Sequence, residues 1–306
     1  MVKQVLLPFY HYLMGIWRIS LFCCKVKKGD IHIILTNNIG DDVYGLSLLK
    51  DFKEKKDCKI IVHCINNRSF IVEAFVGAYD NIKKYEKKSY AWKSIQSINS
   101  KKLLIDVARR LNVYSVMPYY YRPMSNFDGR NCLEIIYEDM LRMNKGIVVQ
   151  TPCFETVKLS LPYTNIDKIA VLNTASITMN SSDNCFFSII ATDLKKRGYI
   201  VYTNVVGDQQ PVEGTMPLNV ALLEFVAICN YVDVLISVRT GLLDLCYNTK
   251  CKKIVYYFPL DSSEIIDDEF YARYTLKAWE QDNIREFLYN DNVTAFQTYL
   301  EIIDKD

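Results

Sequence analysis

The sequence lacks the short motifs that mark most nucleotide and hydrolase sites. No GxGxxG turn follows the strand-like run Ile31 to Thr36, so the pyrophosphate turn of the usual nicotinamide and flavin dehydrogenases is missing. GxxxxGK[ST] is absent, which excludes P-loop kinases and ATPases, and so is GxSxG, the nucleophile turn of α/β hydrolases. The one Asp-x-Asp run, Asp304-Lys305-Asp306, follows the candidate helix Val293–Ile303 and no strand, so it is not of the sort that holds a metal against a sugar diphosphate. Histidine is scarce: His11, His32 and His63 are the only three, and they are not spaced as a metal set. No CxxC pair occurs among the ten cysteines, so a structural zinc site is not expected. The charges nearly cancel, at a net +2, which leaves no electrostatic footprint for DNA or RNA; no nucleic-acid partner is expected. Lys83-Lys84 and Lys87-Lys88 are local basic pairs that read as a solvated helix face. Metal-free transfer chemistry is what remains.

What is present is globular composition. Half of the 306 residues are hydrophobic and 24% are charged, and the length suits two domains that each bury a core. The cysteines are scattered, and several, such as Cys64 and Cys229, sit inside apolar runs, as buried free thiols in a reducing cytoplasm do. From Val5 to Cys24 the chain is strongly apolar and aromatic, yet His11 and Arg18 interrupt it and Lys25, Lys27 and Lys28 follow. A spanning helix needs about 20 nearly uncharged residues. The segment therefore reads as a helix on a membrane surface or packed on the protein, in preference to a transmembrane anchor. With no signal-peptide cleavage site near Cys24, the expected location is cytoplasmic, peripheral on the inner face of a membrane if the segment meets lipid.

Strands alternate with helices twice. In the first half Ile31–Thr36 is a strand, Asn37 to Asp42 a polar loop, Val43–Phe52 a helix, Lys59–Ile65 a second strand and Phe70–Tyr79 an apolar helical stretch. Lys102–Arg110 fits a strand or a helix, and Cys132–Met143 reads as a helix. The pattern restarts with the strand Lys168–Asn173, the loop Thr174 to Asn184, a helix Phe186–Arg197 ended by Gly198, and the strand Tyr199–Asn204. A helix Leu218–Asn230 leads to the strand Val232–Val238, a turn at Arg239-Thr240-Gly241, a short helix to Tyr247 and the strand Lys253–Phe258. Ser262–Gln281, Asn283–Tyr289 and Val293–Ile303 are candidate helices. The expected organisation is an apolar and basic segment 1–28, an α/β domain 29–150, a linker 151–166, a second α/β domain 167–260 and C-terminal helices 261–306. Such alternation implies βαβ units and a mostly parallel sheet.

Ligands of open α/β sheets bind beyond the carboxyl ends of the strands, and the candidate sites lie there. In Asn38-Ile39-Gly40-Asp41-Asp42, Gly40 permits close backbone approach and Asp41 or Asp42 could take a proton from an acceptor hydroxyl; either could equally cap the helix. In Ser237-Val238-Arg239-Thr240-Gly241-Leu242-Leu243-Asp244 a helix start and Arg239 suit a phosphate, while the alternative has Thr240 and Asp244 capping the turn and Arg239 paired with a surface acid. Thr174 and Ser176, in a hydroxyl-rich loop, could bind a diphosphate, and Glu213 a ribose hydroxyl; both stretches also fit ordinary solvated loops.

Two of these runs resemble the GT-B glycosyltransferases, and more narrowly the ADP-heptose lipopolysaccharide heptosyltransferases and related capsule or surface-polysaccharide transferases. Asn38-Ile39-Gly40-Asp41 before an apolar helix looks like that group's N-terminal Gly-Asp turn, and Leu218 to Phe258 looks like its donor-binding segment. The resemblance implies two Rossmann-like domains facing a cleft, Asp41 as base, and Thr240 and Gly241 at the phosphate. It also implies a nucleotide sugar as substrate rather than a cofactor, and a glycan or lipid-linked acceptor. Where the group has an Asp before the Gly and a His after it, this chain has Arg239 and Asp244, and the group's Lys has no counterpart between Thr174 and Asn184. An ADP-heptose donor is therefore not carried over. A sugar-nucleotide epimerase or hydrolase of the same fold, and a non-catalytic partner of a transferase, are the rival readings.

Overall fold

The computed structural model describes residues 13–14, 16–18, 20–22, 29–36, 38–96, 102–118, 121, 128–144, 146–154, 168–175, 184–258, 274–275 and 282–304. The chain divides into two compact units, Met1–Phe154 and Glu155–Asp306.

The first unit holds a four-stranded sheet of β1 (Ile31–Ile34), β2 (Ile60–Ile65), β3 (Asn81–Tyr85) and β4 (Val113–Ser115), in the order β3-β2-β1-β4. All its pairings are parallel. Every residue of β1 and β2 is buried, as continuous apolar strands covered on both faces require. Between the strands run α1 (Ile39–Ser47), α2 (Leu49–Lys56), α3 (Ser69–Glu73), α4 (Tyr90–Gln96) and α5 (Lys102–Arg110); α6 (Cys132–Ile135) follows β4. Asn131 and Glu134 form a reciprocal capping box at the start of α6, which widens into a π turn over Ile136–Met140. The described N-terminal residues between 13 and 22 are helical, and Ile16 and Phe22 pack on Ile34, Ile65, Trp92, Ile95, Ala108 and Val113. Beneath Phe22, His32 Nδ1 lies 2.9 Å from His63 Nε2, and His63 Nδ1 lies 2.9 Å from the Tyr85 hydroxyl. Burial holds both imidazoles neutral, His32 at about 4 and His63 at about 3. His32 and His63 are thus packed within the core of the first unit.

The second unit holds β5 (Ile169–Asn173), α7 (Asn184–Lys196), β6 (Ile200–Asn204), β7 (Met216–Leu218), α8 (Leu222–Ile228), β8 (Val234–Val238), α9 (Gly241–Leu245), β9 (Lys252–Tyr257), β10 (Ile284–Leu288) and α10 (Asn292–Ile303). Its six-stranded sheet runs β10-β9-β8-β5-β6-β7, again wholly parallel. Counted within the unit this is the order 3-2-1-4-5-6 of dinucleotide-binding sheets, and the first unit repeats its 3-2-1-4 part. The core of the second unit gathers Phe186, Phe187 and Ile190 of α7, Tyr256 of β9, and Ala295, Tyr299 and Ile303 of α10. Gly198, at φ +85°, closes α7 as expected, its N–H donating to Lys195 O.

Several expected elements differ. Within Asn283–Tyr289, Ile284–Leu288 is the edge strand β10, not a helix: Ile284 and Glu286 are buried with Arg285 exposed between them, and Glu286 accepts from the Tyr257 hydroxyl at 2.6 Å and from Thr275 at 2.7 Å. A buried Glu disguised the period of two. Lys83 and Lys84 lie exposed on the edge strand β3 and not on a helix, and the stretch from Phe70 is helical only to Glu73 before the chain turns through Gly77 at φ +84°. Leu218–Asn230 begins with the end of β7, where Pro217 stands on a sheet edge, and is helical only over α8. Lys102–Arg110 is a helix. The candidate helix 262–281 lies outside the described residues except for 274 and 275.

Gly45 lets α1 settle on the chain beyond β4. A Cβ there would stand 2.3 Å from Val116 Cγ1 and 2.5 Å from its Cβ, so Gly45→Ala is expected to destabilise the protein by about 1–3 kcal/mol in urea unfolding. Val116→Ala in the same chain should recover part of the loss, and a silent Gly45→Ala would refute the contact.

Candidate functional site

Both units reverse their winding direction beside their first strand, and ligands of such sheets bind at that reversal. In the first unit it lies between β1 and β4, in the second between β5 and β8. The two strongest candidate loops follow β1 and β8 directly.

After β1 the chain turns through Thr36 and Asn38 into α1. Asp42 is wholly buried, and one carboxyl oxygen accepts from the Thr36 N–H at 2.6 Å and from the Thr36 hydroxyl at 3.0 Å. It thus ties the turn back to the end of β1 and caps no N–H of its own helix. Its other oxygen has no partner among the described residues. Burial pushes the Asp42 carboxyl up to about 7; the Thr36 N–H opposes that rise, the charge of Asp41 adds to it, and Arg68 weakly opposes it. Asp41 is 8% exposed and accepts from the Asn38 side-chain amide at 3.1 Å. Asn38 is the N-cap of α1 without a side-chain cap bond, and Gly40 takes an ordinary helical conformation in the first turn. The turn therefore presents two different acids: Asp42 a wholly buried, part-protonated strut, and Asp41 a slightly more exposed acid that accepts from an amide. Thr36 and Arg68 were missed by sequence reading. Arg68 stands three residues beyond β2 at the same sheet edge, close enough for its charge to act on Asp42.

In the second unit the carboxyl ends of three strands are joined by side chains. Asn204 on β6 donates to Asn173 on β5 at 2.8 Å, and Asn173 donates to Ser237 on β8 at 2.8 Å, across the reversal itself. Ser237 in turn donates to Val238 O at 2.7 Å. Both asparagines were overlooked; their signal is an Asn ending an otherwise apolar buried strand. Thr174 accepts from Gln209 at 2.9 Å, Glu213 is exposed in the connection from β6 to β7, and Ser176 lies outside the described residues.

Arg239 is 4% exposed and grips the wholly buried Asp244 with both terminal nitrogens, at 2.7 and 3.2 Å. The same guanidinium donates to Thr240 O at 2.7 Å and to Tyr274 O at 3.0 Å. Thr240 caps α9 by accepting from the Leu242 N–H at 3.2 Å, and Gly241 opens the helix. Thr240 thus caps the turn as the second sequence alternative has it, but Asp244 is the partner of Arg239 and not a cap, and this acid is buried and not at the surface. Burial raises the Asp244 carboxyl to about 6 against the pull of Arg239, so it is ionised at neutral pH. Among the described residues no group of three or more His, Cys, Asp or Glu is placed to hold a metal ion.

Two outcomes follow from these buried acids. A raised folded-state pKa gives stability that is present at low pH and lost as pH rises through about 7, whereas Asn cannot titrate. From about pH 5 to about pH 8 the stability of the wild type relative to Asp42→Asn should therefore fall by about 2 kcal/mol, and a pH-independent difference would refute the protonated strut. For the ion pair, Arg239→Met alone should cost about 3–5 kcal/mol in urea unfolding, and Arg239→Met with Asp244→Leu should cost less than that single change. Additive losses would show the two side chains to be uncoupled.

No protein-family profile and no curated protein sequence matches the chain. Solved structures do. The Escherichia coli heptosyltransferase WaaC with ADP superposes with a TM-score of 0.55 at 14% identity, over 90% of this chain and 100% of that one. A glycosyl transferase family 9 protein from Veillonella parvula DSM 2008 gives 0.53 at 13% identity, over 90% and 92%. The iron-containing dodecameric glycosyltransferase TibC from enterotoxigenic E. coli H10407 gives 0.52 at 13% identity over 79% of this chain, which spans 64% of TibC. The chain thus has the two-unit α/β fold on which these heptosyltransferases and glycosyltransferases are built.

Proposed function

We propose that the protein is a metal-independent glycosyltransferase that moves a sugar from a nucleotide-sugar donor to a glycan or lipid-linked acceptor in surface-polysaccharide synthesis, at the cytoplasmic face of a membrane. One observation carries the reading. In a fold shared with heptosyltransferases, the Asp41 turn and the Thr240-Gly241 turn each follow a strand that flanks the winding reversal of its sheet. WaaC is known with ADP and with ADP-2-deoxy-2-fluoro heptose, and TibC with ADP-D-beta-D-heptose, which supports a nucleotide-sugar donor here.

In this reading the second unit holds the donor. The Thr240-Gly241 turn faces the diphosphate, Thr174 and Ser176 supply hydroxyls beside it, Ser237 shapes the floor, and Glu213 reaches a ribose hydroxyl. Arg239 and Asp244 act together as positioning residues, because each satisfies the other inside the turn. On the first unit Asn38 and Gly40 shape the acceptor side and Asp41 is the base. The acceptor hydroxyl oxygen bonds to the anomeric carbon as its proton passes to the Asp41 carboxylate. The bond from that carbon to the donor's phosphate oxygen breaks, and the nucleoside diphosphate leaves with the electron pair. Asp42, part-protonated and turned inward, is the poorer base.

Calorimetric titration with nucleoside diphosphates and sugar nucleotides tests the donor site. Thr240→Asp keeps an efficient N-cap while adding a negative charge, so it should weaken nucleotide binding by about tenfold or more with stability retained. Asp41→Asn should abolish transfer and leave nucleotide affinity unchanged. Full activity in Asp41→Asn removes it from the role of base, nucleotide-sugar turnover without any acceptor points to the epimerase or hydrolase, and no binding across the panel leaves the non-catalytic partner.

A further inference from the structure

The described helical residues between 13 and 22 are apolar on two sides. One side, with Ile16 and Phe22, is packed on the core of the first unit. The other carries Leu13, Trp17 and Leu21, which recur every four residues and so share a face, and they are 49%, 51% and 41% exposed. Tyr90, 63% exposed at the start of α4, adjoins this helix, because the Arg18 guanidinium lies over its ring at 5.9 Å. Lys87 and Lys88 stand exposed in the turn that leads to Tyr90. A helix apolar on both sides is ordinarily covered on both.

The charge around it selects the cover. The first 29 residues contain no Asp or Glu, while Lys3, Arg18, Lys25, Lys27 and Lys28 are cationic. A second copy of the chain laid on this face would oppose like charges. Three side chains and a tyrosine also offer far less than the ~800 Å² per partner of a stable interface. An anionic lipid surface meets the same features favourably: Trp and Tyr prefer the headgroup level, apolar side chains enter the acyl boundary, and lysines meet lipid phosphates. No helix among the described residues is long and apolar enough to cross a membrane, so the segment would lie in the interface.

We propose that the helical residues 13–14, 16–18 and 20–22 seat the chain on an anionic membrane, with Leu13, Trp17 and Leu21 entering the interface and Lys87 and Lys88 meeting lipid phosphates. This deepens the reading of a lipid-linked acceptor but stands on its own observation, and its test contains neither donor nor acceptor. The full chain is sedimented with vesicles of phosphatidylcholine alone and of phosphatidylcholine mixed with phosphatidylglycerol. Binding is expected to the mixed vesicles, to weaken with added salt, and to be slight on phosphatidylcholine. Trp17→Ser with Leu21→Glu should lower the partition coefficient by about tenfold or more, and Lys87→Ala with Lys88→Ala, which leaves the helix intact, by about 25-fold, since each lysine near the surface is worth about fivefold. Brominated acyl chains should quench wild-type fluorescence, and the quenching should disappear in Trp17→Phe. Equal binding to both vesicle types, unchanged partition in both double variants, or self-association through Trp17 without vesicle binding would overturn the proposal.

Discussion

Every strand among the described residues is parallel to its neighbours, and that constraint orders the rest. A parallel strand cannot be joined to the next by a tight turn, so each connection returns across a face of the sheet and both faces end up covered. Side chains on the strands are consumed in packing, as the unbroken burial of β1, β2 and β5 shows. What is left for chemistry is the carboxyl edge, and above all the place where successive connections depart to opposite sides. Polar residues at the ends of apolar strands concentrate there: Thr36 and Ser115 in one unit, and Asn173, Asn204 and Ser237 in the other.

Burying polar groups at such an edge is costly unless they satisfy one another. The second unit meets this with the Asn204–Asn173–Ser237 ladder and the Arg239–Asp244 pair, both internally closed. The first meets it with a carboxyl that is part-protonated at neutral pH and protonated below it. At the opposite end of β9, Lys253 is wholly buried without a carboxylate; its ammonium is met by the carbonyls of Thr249 and Cys251 at 2.7 and 3.0 Å, with the sulfurs of Cys229, Cys246 and Cys251 nearby. Burial lowers the Lys253 pKa, and neighbouring sulfur charge opposes that shift. Sequence composition marked such cysteines as buried thiols but gave no hint of the lysine among them.

The alternation of elements was legible because it rests on apolar runs of strand length, and the loops that follow β1 and β8 could be singled out because glycine and acid at a helix start are local signals. What could not be read is what depends on partners distant in sequence. Asp41 and Asp42 are neighbours of one type, and Thr36, by donating to Asp42, and Asn38, by donating to Asp41, set them apart. Arg239 looked available for a phosphate because its partner, five residues on, becomes a partner only once α9 turns Asp244 inward. β10 was mistaken for a helix because Glu286 faces Tyr257 and Thr275, a pairing across 29 residues in one case.

The make-up of the second core has a consequence for biosynthesis. α7 cannot be fully covered until α10 arrives, because Ala295, Tyr299 and Ile303 lie in the same core as Phe186 and Ile190, and the Tyr299 hydroxyl donates to Asp193 at 2.9 Å. A chain leaving the ribosome completes the first sheet well before residue 154 is followed by the second unit, yet the second core stays open until residue 303 has emerged. For that interval the aromatic cluster of Phe186, Tyr256 and Phe258 lacks part of its cover, while all residues of the first core have already emerged.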